Sequence, residues 1–339
     1  MQNAIIRTLA GLGMCSCSLL GFSADWKPDV LGENYEQKTV ELADDYSGKV
    51  RTTVVRHKTA GQGNTAVLYL HGYNDYFFQS QLGDSIVAHG YAFYAVDLRK
   101  YGRSLLPDQL KFEVRNLKEY FEDLDVALKE IENDGYKNVV FLAHSTGGLT
   151  MSYYLSQHLA DRPQVKALIL NSPFLDMNLS KFQENFLVPV VASMPFKNMK
   201  IKQGDSRAYA ESLLSAYHGE WEYDTGWKLE VSPDVTSGWI SAIHKAQRTL
   251  QKGTDIKIPI LLMHSDKSIY GDEWTPEFNC GDAVLDVADI SKYGKKLGPN
   301  VTEFVAEDGL HDLILSRKDV RDKVYAEMFM WLENVLQGK

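Results

Sequence analysis

The chain has 339 residues, 44% of them apolar and 24% charged, with a formal net charge of −9. That mix allows a substantial core in one large domain or two smaller ones, and it excludes disordered and collagen-like classes. The acidic balance argues against general nucleic-acid or anionic-membrane binding, because both need a basic face. Of the three cysteines, Cys15 and Cys17 lie near the N-terminus and Cys280 stands alone in the body, so no internal disulfide framework forms.

Residues 8–24 carry no charge and follow Arg7, the form of a secretory signal. The expected cleavage follows Ala24, although Phe22 is large for the position three residues before it. Cys15 or Cys17 is an alternative lipidation site, with imperfect lead-ins at Met14 and Ser16. Export is therefore the expected localisation, with a cytoplasmic N-terminal helix as the alternative. The run is shorter than the roughly 20 residues of a membrane span.

From residue 25 onward, strand-like and helix-like patterns alternate. Residues 36–42 and 50–55 read as two strands joined by a turn-rich segment, and they lack an intervening helix, so an antiparallel edge is expected. Residues 66–70, 92–96, 139–142, 167–170 and 260–263 are continuous apolar runs, as in strands buried on both faces, and 302–305 is the last strand. Val114, Leu117, Phe121, Leu124, Leu128 and Ile131 form one apolar helical stripe, and Val320, Val324, Met328, Trp331 and Val335 form another. This alternation predicts an α/β fold, a mostly parallel sheet flanked by helices. It breaks in 172–253, which is rich in aromatics and reads as a helical cap inserted between two core segments, 25–171 and 254–339.

The sharpest local signal is Ala143-His144-Ser145-Thr146-Gly147-Gly148, placed between an apolar strand and a helical run. Gly-x-Ser-x-Gly in this setting is a nucleophile elbow, with small residues two places either side of an exposed hydroxyl. Ala143 replaces the first glycine and keeps the size requirement. A serine needs a base, and the chain order of this architecture is Ser, acid, His. His158, His218, His244 and His264 fall in a helix, in the cap or too early, which leaves His311. The acid belongs in the loop after 260–263, where Asp266, Asp272, Asp282 and Asp286 are available. Asp282, directly before the next helix, is preferred, and Asp266 stays open. The backbone N–H groups of Thr146 and of Tyr73, in His71-Gly72-Tyr73, are expected to hold the oxyanion.

Together these residues resemble the α/β-hydrolase superfamily. The match is closer to its serine-aminopeptidase-like group, which includes monoglyceride lipases and lysophospholipases. The resemblance rests on His71-Gly72-Tyr73, Asp97-Leu98-Arg99-Lys100-Tyr101-Gly102-Arg103-Ser104, the elbow and Gly309-Leu310-His311-Asp312. Lys100 occupies a position where that group has glycine. The resemblance implies cofactor-free acyl transfer to water through an acyl-enzyme, and no HExxH, Cys-x-x-Cys, P-loop or dinucleotide motif is present.

The expected substrate is an apolar or lipid-like ester, with Phe182, Phe186, Trp221 and Trp227 as candidate contacts from the cap. Membrane-surface contact through a lipid anchor or the cap fits this reading; nucleic acid does not. The alternatives are an exopeptidase, with Glu220, Glu222 or Asp224 holding the substrate ammonium, and a non-catalytic binding protein.

Overall fold

The computed structural model describes residues 25–179 and 182–338. The expected signal segment, 1–24, lies outside them. In chain order the chain forms strands β1 (Lys27–Asp29), β2 (Gly32–Glu41), β3 (Arg51–His57) and β4 (Thr65–Leu70), helix α1 (Ser80–Ala88), β5 (Ala92–Asp97), α2 (Glu119–Asn133), β6 (Asn138–His144), α3 (Thr146–His158) and β7 (Val165–Asn171). Then come α4 (Val188–Ser193), β8 (Lys200–Ile201), α5 (Ala208–Leu213), β9 (Val235–Thr236), α6 (Ser237–Leu250), β10 (Ile260–Ser265), α7 (Val287–Gly294), β11 (Val301–Ala306) and α8 (Lys318–Leu336).

Side chains alternate along the central strands, so each strand feeds two cores. Leu68, Leu70, Val96, Phe141 and Leu170 face one layer, with α2, α3, α6 and α7. Val67, Tyr69, Phe93, Leu142 and Ile169 face the other, with α1 and α8. Val320, Val324, Met328 and Leu332 form the buried stripe of α8, and each such side chain contributes about 1.5–3 kcal/mol on burial.

Nine strands form one sheet in the order β1-β2-β3-β5-β4-β6-β7-β10-β11. Pairing is antiparallel from β1 to β5 and parallel from there on, the α/β-hydrolase arrangement with the expected antiparallel edge. Register matters for the site. Leu70 pairs with Ala143, His144 with Asn171, and Asn171 with Met263, so β4, β6, β7 and β10 end at one level. Loops leaving those carboxyl ends converge where such sheets bind ligands.

Two local differences from the sequence pattern have clear causes. The helical stripe from Val114 becomes regular helix only at Glu119, because the Glu119 carboxylate accepts the amides of Arg115 and Asn116 at 3.2 and 2.9 Å and closes the preceding turn. Strand β1 is too short and polar to be legible, yet Asp29 at its end is held by Arg103 through bonds of 2.6 and 2.8 Å.

The segment from Asp97 to Ser104 is a closed knot. Asp97 accepts the amides of Phe77 and Arg103, both at 3.0 Å, and the Arg103 guanidinium reaches Asp97 Oδ2 and the Phe77 carbonyl, both at 2.9 Å. Gly102 is obligatory, since a Cβ there would lie 2.4 Å from Asp97 Oδ2. Lys100 takes the left-handed backbone suited to glycine, at φ +67°, a conformation that costs a side-chain-bearing residue about 1–2 kcal/mol. Its buried ammonium offsets this by pairing with Asp45 Oδ2 at 2.7 Å and donating to Tyr46 Oη at 3.2 Å.

Arg103→Met should strand the buried carboxylates of Asp29 and Asp97 and cost about 3–5 kcal/mol in urea unfolding. A loss below about 1 kcal/mol would show that the knot holds without this cation.

Candidate active site

The chain leaves β6 and enters α3 within a single residue. Ser145 makes the turn at φ +52° and ψ −117°, a sparsely populated region that costs on the order of 1–3 kcal/mol. Surrounding bonds hold it there. The Ser145 amide donates to Asn171 O at 3.0 Å, and its carbonyl accepts the amides of Leu149 and Phe174 at 3.1 and 3.0 Å. Glycine follows because the elbow presses on β4: a Cβ at Gly147 would sit 2.5 Å from His71 O and 2.6 Å from Leu70 O. Ala143 is fully buried.

His311 lies in the loop after β11. Its neighbour Asp312 anchors that loop to the end of β7, accepting from Asn171 Nδ2 at 2.7 Å and from the Ile314 amide at 3.1 Å. The anchored ring places Nε2 3.0 Å from Ser145 Oγ and Nδ1 2.9 Å from Asp282 Oδ2. Asp282 is fully buried, and its other oxygen accepts the amides of Val284 and Leu285, both at 2.8 Å. Because Asp282 accepts from Nδ1–H, the Nε2 lone pair faces the serine hydroxyl and can take its proton.

Asp266, the open alternative, does other work: it accepts the Asp308 amide at 2.9 Å and lies 3.7 Å from Lys267 Nζ. Asp286 caps α7 through the Ala288 amide. The structure thus places Asp282 against His311.

Tyr73 and Thr146 both border the cavity at Ser145, and neither backbone amide finds an acceptor among the described residues. Thr146 opens α3, whose N-terminus favours negative charge. Gly72 lets the Tyr73 loop come close, since a Cβ there would lie 3.0 Å from His144 Nδ1 and 3.1 Å from Ser145 Cβ. His71 braces the same loop. The Leu98 amide donates to His71 Nε2 at 3.2 Å, so Nδ1 carries the proton and donates to Gly72 O at 2.8 Å. Burial holds its pKa below the ordinary histidine value.

The four aromatics expected to touch substrate lie elsewhere. Phe182 and Phe186 are 64% and 62% exposed and stack on each other at the surface. Trp221 is buried and donates its indole N–H to Leu315 O at 2.8 Å, and Trp227 packs edge-on against Tyr76. Composition shows that an aromatic is present, not which way its backbone turns it. The cavity, of about 200 Å³, is walled instead by Tyr73, Phe174, Tyr209, Leu213, Tyr223 and Trp239, with polar Lys228 and Ser206. Tyr73 and Phe174 each follow a strand end directly, a positional signal that the sequence carried.

The serine aminopeptidase S33 family model matches residues 61–273, well over half of the chain. The chain belongs to that family. This α/β hydrolase is similar to a soluble variant of monoglyceride lipase from Saccharomyces cerevisiae bound to a substrate analog, with TM-score 0.64, 17% identity, and 92% of this chain and 98% of that one covered. It is also similar to a monoacylglycerol lipase from Paleococcus ferrophilus, with TM-score 0.58, 15% identity, and coverage of 84% and 99%. A third match, a carboxylesterase structure from Nitrososphaera gargenis, has TM-score 0.55, 16% identity, and coverage of 88% and 100%. At these identities the likeness is one of fold. No curated protein sequence matches the chain.

Two predictions follow from the geometry of this hydrolase. Asp282→Asn should lower kcat by about 10²–10⁴-fold while Asp266→Asn stays near wild type, and steady-state kinetics that reverse this order would reassign the acid. For His71 the folded pKa lies below the ordinary value of 6.5, so below that pH the unfolded state binds more protons and stability falls as pH drops. Thermal unfolding should therefore show a lower Tm at pH 5 than at pH 7, with a flatter slope in His71→Gln.

Proposed function

We propose that this α/β hydrolase is a serine esterase acting on apolar, lipid-like carboxylic esters such as monoacylglycerols or lysophospholipids. The observation that carries the reading is the Ser145–His311–Asp282 chain, with contacts of 3.0 and 2.9 Å. Ser145 Oγ attacks the ester carbonyl carbon as its proton passes to His311 Nε2. Asp282 stabilises the resulting imidazolium. The carbonyl oxygen becomes an oxyanion between the Tyr73 and Thr146 amides, where loss of one donor costs about 3–4 kcal/mol. Collapse expels the alcohol, which takes the proton from His311, and leaves Ser145 acylated. Water, activated by the same ring, then releases the acid. No cofactor enters these steps.

The apolar walls support an acyl or alkyl group. The volume, about 200 Å³, is below the roughly 300–1,000 Å³ of drug-sized sites, so a short chain fills it. Val284, another wall residue, accepts from Asn178 Nδ2 through its carbonyl. Soon after Asn178 in the chain come the exposed apolar side chains of Leu179, Phe182, Phe186, Leu187, Val190 and Phe196. This run of exposed apolar side chains supports contact with a lipid surface. The monoacylglycerol lipases among the structural neighbours support the same substrate class.

The exopeptidase reading has less support. Glu220 pairs with Arg321, the Asp224 carboxylate accepts the Gly226 amide, and neither these nor Glu222 borders the cavity. Glu230 does border it but is paired with Arg207. Export, directed by residues 1–24, completes the proposal and is tested by fractionating cells that express the full chain.

p-Nitrophenyl esters of graded chain length should be hydrolysed, aminoacyl anilides should not, and Ser145→Ala should abolish turnover while keeping the wild-type Tm. Anilide cleavage without ester cleavage would overturn the ester reading. Phe182→Ser/Phe186→Ser should weaken co-flotation with phosphatidylcholine vesicles several-fold, with hydrolysis of a soluble short ester unchanged. Equal flotation would remove the surface-contact limb.

A further inference from the structure

Beside the Ser145–His311–Asp282 chain lies a second buried polar cluster that the proposed chemistry does not use. Asp75 is fully buried, two residues after Tyr73. Its Oδ1 accepts from Lys228 Nζ at 3.0 Å. Its Oδ2 lies 3.5 Å from Nδ1 of His144, the residue immediately before Ser145. His144 and Lys228 are themselves nine-tenths or more buried; His144 Nδ1 also lies 3.8 Å from Asp312 Oδ2, and neither His144 nitrogen nor Asp75 Oδ2 makes a hydrogen bond among the described residues.

We propose that Asp75 is a positioning residue for the oxyanion donor: one buried carboxylate, hydrogen-bonded to Lys228 in the segment before β9 and packed against His144 of the nucleophile elbow, holds the Tyr73 loop between them. The proposal rests on the serine-hydrolase reading and adds a group that touches no substrate.

Three observations carry it. First, Asp75 belongs to the turn that supplies the Tyr73 amide, so a shift of its carboxylate moves that amide relative to Ser145. Second, the turn is fastened at neighbouring points to the same distant segment. Asn74 Nδ2 donates to Leu229 O at 2.8 Å, the Leu229 amide donates to Asn74 Oδ1 at 2.7 Å, Tyr73 Oη donates to Pro233 O at 3.3 Å, and the Asp224 amide donates to Tyr76 Oη at 2.9 Å. Asn74 takes φ +50° to make its pair. Third, the carboxylate is charged where it sits. Burial opposes ionisation, but Lys228 and then His144 outweigh it and hold the Asp75 pKa well below the usual value.

An oxyanion hole works because its donors are fixed before charge develops. A loop held only by its own backbone would reorganise during the reaction. A buried charge bridging two other elements resists that movement, because displacing it would expose an unpaired ion to a low-dielectric interior.

The test compares Asp75→Asn, Lys228→Met and the double variant by three readouts. These are the rate of Ser145 labelling by a fluorophosphonate, kcat and KM for a p-nitrophenyl ester, and Tm. Asp75→Asn should lower the labelling rate and kcat together by about 10–100-fold, with KM within about threefold of wild type. The double variant, which strands no charge, should recover Tm but not kcat. Recovery of kcat and labelling in the double variant, or a change in KM alone, would overturn the positioning role.

If Asp75→Asn does not fold, Asn74→Ala cuts the adjacent fastening without touching buried charge, and an unchanged labelling rate there would overturn the proposal equally. Asp75, His144 and Asp312 also lie close enough to hold a metal ion. Dialysis against EDTA should change nothing, whereas a loss restored by Zn²⁺ would replace this account. Labelling needs no particular ester, so a wild-type protein that labels but hydrolyses no ester would refute the substrate reading while leaving the Asp75 test intact.

Discussion

Ser145 turns the chain from β6 into α3 at φ +52°, and nearly every other feature of the site is arranged around that turn. The strain raises the hydroxyl above the sheet and leaves the first amides of α3 facing the same space. It also presses the elbow against the end of β4, which is why Gly147 has no room for a Cβ and Gly72 only a tight fit for one. The parallel sheet makes the meeting possible. Strands β4, β6, β7 and β10 end at one level, so loops far apart in sequence arrive together.

The second constraint is anchoring. His311 is on a loop, yet Asp312 fastens it to Asn171 at the end of β7, and Asp282 is fixed by two amides of its own turn. The Tyr73 loop is braced from below by the neutral His71 ring and from above by residues 224–233. The long excursion between β7 and β10 therefore supplies both cavity walls, such as Tyr209 and Trp239, and fastenings for the loop beside the nucleophile.

How much of this was legible depended on the range of the physics involved. Strands β4 to β7 and β10 could be read because burial on both faces writes a continuous apolar run, and the elbow because steric crowding demands small residues at fixed spacing. Chain order singled out His311, and the structure brings it to Ser145. Position before the next helix favoured Asp282 over Asp266 but left Asp266 open, since both follow the same strand and the path of the intervening loop decides which faces the ring. The substrate contacts were misread for the same reason. Phe182 and Trp221 are equally aromatic, but one turns to solvent and the other packs beneath Arg321. Asp75 carried no local signal, because its partners lie 69 and 153 positions away along the chain.

The most direct test of the account is to trap the covalent intermediate. Wild-type protein mixed with a p-nitrophenyl ester and quenched with acid during the burst should yield a peptide containing Ser145 heavier by the acyl group, with the modification on that serine. Ester turnover with an unmodified Ser145 peptide, or with the acyl group on another side chain, would contradict it.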